Sequence, residues 1–246
     1  NSWLLKANIH LVQGDIVGAR QACLTLIGKA DILLISTCAL EVASQNGKLV
    51  ESYQELSRLY QLYQPNNEPE KRWIVQILAD MAFKQGMAEE ALSYLNQLDM
   101  DNAPVSLLAL WSDIELALNQ HQQVYDTLSS IVSQNTLQDD ALLLRLAIAE
   151  KSLGNTVKWQ WSFAQRVKLR EQRQDSLHAF DLAKYYLNVD IQPKKALYWA
   201  NINWQVARQD NDRILLEQAK ALLRKTKNDK KSVQVSRNLS FDHVVS

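Results

Sequence analysis

Glycine and proline are scarce in this chain of 246 residues, which holds six of the first and four of the second. So little turn chemistry leaves few β-turns available, and no stretch sustains the alternation of a half-buried strand. No apolar run reaches the ~18–20 residues that would span a bilayer. The four histidines, His10, His121, His178 and His243, are scattered without metal-ligand spacing. A nucleophile elbow, a P-loop and a dinucleotide fingerprint are all absent, and glycines placed mostly at repeat turns do not make a phosphate cradle. The segment DMDNAP (99–104) has two aspartates but lacks the glycine and later glutamate of a calcium loop, so it reads as a cap. Arg166, Lys168, Arg170 and Arg173 form a basic run without the interleaved aromatics of a nucleic-acid face. These absences predict no enzyme, no metal, no cofactor and no nucleic-acid partner. The chain opens on Asn1 and Ser2 rather than Met, which reads as a fragment or processed product and leaves any leader undetermined.

What is present is helical periodicity in quantity. Hydrophobic residues make up 47% of the chain, enough for an ordinary core. The clearest unit is ILADMAFKQGMAEEALSYLNQL (77–98). Its apolar residues keep helical spacing up to Gly86 and resume beyond it, which predicts two helices around a tight turn. Ala79 and Ala91 leave room for close approach of the pair. Similar turns fall at Gly14, Gly47, Gly86, His121, Gly154 and Asp190, spaced 33, 39, 35, 33 and 36 apart. His121 marks a degenerate copy, and the loop QPNNEP (64–69) accounts for the longest period. Six copies predict an all-α solenoid of about six helix pairs over residues 1–224, closed by a solvating helix over 210–224. Residues 225–246 are basic and polar, and read as a flexible or extended tail.

This spacing resembles the tetratricopeptide repeat, an antiparallel helix pair of ~34 residues that builds a right-handed superhelix. Cys23 and Cys38 fall on helices that adjoin in such an arrangement, so their thiols either face each other as a bridge or serve as two small buried hydrophobes. A closer resemblance lies in WLLKANIHLVQGDIVGARQACLTLI, LLISTCALEVASQNGKLVESY, LLLRLAIAEKSLG and LAKYYLNVDIQPKKALYWANINWQVARQDNDRILLEQA, together spanning most of residues 3–221. These segments are similar to a group of exported bacterial tetratricopeptide proteins with no assigned reaction. The resemblance implies a periplasmic or exported location, with the cytoplasm as the alternative, and a Cys23–Cys38 disulfide.

Register with the repeat places Asn8, Glu41, Trp73, Gln76, Asp80, Phe83, Trp111, Glu115, Phe180 and Lys184 on or beside a concave groove that takes an unidentified protein or peptide segment. Glu41, Asp80 and Glu115 occupy one equivalent position in three successive repeats, and Lys184 occupies it in the sixth. Of a chaperone-binding carboxylate clamp only Asn8 is present. The alternative function is structural. Residues 1–123 hold 8 Lys/Arg against 14 Asp/Glu, and residues 124–246 hold 19 against 13. Balances of −6 and +6 favour either salt-dependent, end-to-end self-association or two ordinary solvated faces.

Overall fold

Thirteen α-helices, with no strand among the described residues, build the computed structural model, which describes residues 2–100, 103–134, 139–154 and 156–241. They are α1 (Ser2–Val12), α2 (Ile16–Leu24), α3 (Ile32–Gln45), α4 (Leu49–Leu62), α5 (Glu68–Lys84), α6 (Ala88–Leu95), α7 (Val105–Ala117), α8 (His121–Gln134), α9 (Asp140–Leu153), α10 (Lys158–Arg173), α11 (Ala179–Asn188), α12 (Pro193–Val206) and α13 (Asp210–Phe241). The chain divides into two compact units. The first runs to Gln165 and adds Ala207–Gln209; the second holds Arg166–Val206 and α13. The boundary falls inside α10, not at Lys225 where the composition changes.

Short polar side chains start α2, α3 and α5 in the first unit. Asp15, Asp31 and Asn67 accept backbone N–H bonds from Gly18, Leu34 and Glu70 at 2.8, 3.0 and 3.0 Å. Each answers a donor that a helix start leaves without an intrahelical partner. Gly86 ends α5 at a φ of 80°. The fourth pair has no glycine to do this. Asn119 takes the left-handed conformation there, at φ 61°, two residues before His121, which instead begins α8.

Each odd-numbered helix from α1 to α7 packs on the even-numbered helix after it, and α1, α3, α5, α7 and α9 also contact one another in sequence, forming one wall. Ala79, Ala82 and Ala91 are fully buried, so α5 and α6 meet through their smallest side chains. Two buried charges on α9 cross-link this packing. Arg145 donates from Nε to the Ala109 carbonyl, from Nη1 to the Ala141 carbonyl and from Nη2 to Asp113, at 2.9, 2.9 and 2.5 Å. Glu150 accepts from the Thr156 hydroxyl and from the Trp159 and Gln160 backbone N–H groups, at 2.5, 2.9 and 2.8 Å. Its carboxylate therefore caps α10 from the preceding helix.

Cys23 on α2 and Cys38 on α3 are joined, with their Cα atoms 5.6 Å apart and a separation of 15 in sequence. Both are buried in the core of the first two pairs, beside Leu11, Leu26 and Val42. Closing a loop of that length is worth about 2–3 kcal/mol through the unfolded state. The urea midpoint of the first unit should fall accordingly when the protein is assayed in reductant. Titration of unreduced, unfolded protein should find no free thiol; two reactive thiols would show that the bridge does not form in the cell.

In the second unit α11 packs on both α12 and α13, and α12 on α13. Leu182, Ala183, Trp199 and Ala200 fill its core. Asn203 donates to Asp212 at 2.7 Å, tying α12 to α13. Tyr186 donates to Glu171 at 2.8 Å and accepts from Lys195 at 3.0 Å. Where a flexible or extended tail was expected from Lys225, α13 continues to Phe241. Residues 225–241 contain neither glycine nor proline and are rich in lysine, so nothing ends the helix once it has begun. The last five residues of that expected tail, 242–246, lie outside the described part.

Candidate functional site

Helical register decides which side chains the odd-numbered helices present on the wall of the first unit. Asn8 is exposed on α1, and Glu41, Trp73, Gln76, Asp80 and Phe83 are half-buried on α3 and α5. Trp73 packs against the core of the first two pairs. Its ring is thus held from behind while part of it stays accessible.

Glu41 and Asp80 are brought together. Lys84, one turn beyond Asp80 on α5, bonds the Asp80 carboxylate at 2.5 Å and keeps only 6% of its side chain exposed. Desolvation, with the neighbouring Asp80 charge adding to it, pushes the Glu41 carboxyl up to about 7, against a weaker opposing pull from Lys84. Lys84 is committed to Asp80, and Glu41's carboxylate has no hydrogen-bonding partner among the described residues. Near neutral pH this carboxyl therefore changes charge state with small changes in its surroundings.

The third member of the expected acidic stripe is elsewhere. Glu115 is 5% exposed and Trp111 is 7% exposed, both inside α7's packing. Burial raises the Glu115 carboxyl, while a hydrogen bond from Trp111 opposes the rise. Neither side chain is an open contact point. The physical reason is that α7 buries residues around nearly its whole circumference, including Leu107, Leu108, Ile114 and Ser112. Phe180 and Lys184 sit on α11 in the second unit, where the Lys184 ammonium lies 6.0 Å from the Phe180 ring centroid. They form a local pair, described apart from the wall of the first unit.

Repeat register missed Lys84, Arg145 and Glu150. Lys84 had a signal, since Asp followed by Lys at i+4 makes an ion pair on a helix. Among the described residues no group of three His, Cys, Asp or Glu side chains is placed to hold a metal ion, and no helix is long and apolar enough to cross a membrane.

No protein-family model matches the chain. No curated protein matches it either. Among solved structures it is similar to a tetratricopeptide repeat protein from Parabacteroides merdae, at 16% identity and a TM-score of 0.49, over 89% of this chain and 98% of that one. Likeness of that degree carries no argument about function; the helix-pair packing above stands on this chain's own contacts.

Proposed function

We propose that the chain is a non-catalytic scaffold that holds a basic segment of a partner protein on the α1–α3–α5 wall of its first unit. The observation that supports this reading is Glu41, a desolvated carboxylate beside an ion pair that commits the neighbouring Lys84 ammonium to Asp80. An incoming Lys or Arg side chain supplies the missing cation, and half-buried Phe83 and, about two turns back from Asp80 along α5, Trp73 offer apolar contact on the same helix. A buried bridge between Cys23 and Cys38 fits an oxidising compartment such as the periplasm.

Binding of this kind is linked to a proton. A cation next to Glu41 favours its ionised form, so the complex releases a proton that the free protein holds below about pH 7. Affinity for a basic segment should therefore rise severalfold from pH 6 to pH 8 and then level off. The test begins with proteins captured from extract of the native compartment by the parent but not by Glu41→Lys/Asp80→Lys. Association of the captured partner, followed at both pH values, should show that rise, and Glu41→Gln should abolish it. A pH-independent partner that binds the double variant as well as the parent would remove the reading. Sedimentation addresses the competing reading: a self-associated species that dissolves when ~0.15 M salt shortens the screening length to about 8 Å would favour end-to-end assembly.

A further inference from the structure

A second surface lies on the other side of α3. At 100° per residue, Ile35, Ala39, Val42 and Asn46 point away from the face that carries Thr37, Glu41 and Ser44. Those four residues form one wall of a groove of about 420 Å³ between α2 and α3. Opposite them, α2 contributes Cys23 and Leu24, the latter 52% exposed despite its apolar side chain. The rim carries Arg20 and Lys48, both exposed and neither with a side-chain hydrogen bond or ion pair among the described residues. No aspartate or glutamate lines the groove. Lys48 is also the N-cap of α4, a 14-residue helix whose first turn receives no side-chain cap. Glu51, in the first turn of α4, offsets the positive potential of the N–H groups at that helix start, so the two side chains carry the charge of the rim.

We infer that this groove docks a segment of a partner protein that presents aliphatic side chains flanked by Asp or Glu. Charge complementarity selects the occupant: the floor is apolar, the rim holds two cations with no ion pair among the described residues, and no carboxylate lines the groove. The Cys23–Cys38 bridge fastens the two walls together. It sets the groove's width, so oxidised protein presents a preformed site and reduced protein does not. The inference does not depend on the α1–α3–α5 wall, which lies on the opposite face of α3 and favours ligands of opposite charge.

The test is selection of random 12-residue displayed peptides on the full chain, counter-sorted against Arg20→Glu/Lys48→Glu. Both positions are exposed and unpaired, so the variant should melt with the parent. Recovered peptides should carry acidic residues beside Leu, Ile or Val. They should bind the parent at least tenfold tighter than the double variant or Leu24→Asp, weaken severalfold in reductant, and protect the amides of residues 16–24 and 39–48 from exchange. Three results would overturn the inference. One is recovery of no peptide that distinguishes the parent from the double variant. Another is recovery only of basic peptides that ignore the double variant and lose binding to Glu41→Lys, which would leave the wall as the sole docking face. The third is a dimer in sedimentation that Arg20→Glu/Lys48→Glu dissolves, which would make the occupant a second copy of this chain.

Discussion

Replacing Arg145 by alanine should lower the stability of the first unit by about 3–5 kcal/mol, the usual cost of removing one partner from a buried charge pair. The guanidinium is 6% exposed, and its bonds reach two backbone carbonyls and one carboxylate. Alanine leaves a void, the Ala109 carbonyl without its side-chain donor, and Asp113 without this cation. Arg145→Lys should recover less than half of the loss, because a single ammonium cannot reproduce the planar fork that serves three acceptors. Converting the pair together, with Arg145→Met and Asp113→Leu, should be more stable than Arg145→Ala, since it fills the void and leaves no carboxylate behind, while the Ala109 carbonyl still lacks its side-chain donor. Urea denaturation of the four proteins tests the order. An alanine variant within about 1 kcal/mol of the parent would mean that the charge is hydrated rather than buried.

Glu150→Ala should cost about 3 kcal/mol, for a different reason. The carboxylate is 1% exposed and gathers a hydroxyl and two backbone N–H groups at the start of α10. Its loss removes a cap worth ~1 kcal/mol and strands donors that cost ~1–3 kcal/mol each when left unpaired in the interior. Glu150→Gln keeps one acceptor oxygen without the charge and should lose about half as much. Native-state hydrogen exchange locates the effect. The Trp159 and Gln160 amides should exchange at least tenfold faster in the alanine variant, while amides in α3 and α5 keep the parent's rates. A uniform rise across the unit would show general loosening in place of a lost cap.

Both charges left a trace in the sequence. LLLRLAIAE sets an arginine and a glutamate inside an apolar helical stripe, and a charge in such a place must have a partner. What the sequence withheld was the partner. Asp113 lies 32 residues upstream, close to one repeat period, and only the stacking of α7 on α9 brings the two together. The helix pairs themselves were readable because apolar spacing and turn residues are local signals. The groove was less so. Register assigns a residue to a face of its own helix but says nothing about what the next helix lays over it, which is how Trp111 and Glu115 came to be placed in the open. The composition of α7 held the correction, since VSLLALWSDIELA has only a narrow polar edge, at Ser106 and Asp113, to turn outward. From Lys225 the difference ran the other way: polarity suggested a flexible or extended tail, while the absence of glycine and proline left nothing to break the helix.

In a stack where each helix pair leans mainly on its neighbours, opening is graded, and one pair can open while the next stays shut. The Cys23–Cys38 bond changes that for the first two pairs. Because it runs from α2 to α3, across the seam between pairs, the seam cannot part without the bond straining or breaking. The smallest piece of this region that can open by itself therefore grows from two helices to four. The cross-link coarsens the cooperative grain of the fold just where both candidate surfaces of α3 are built.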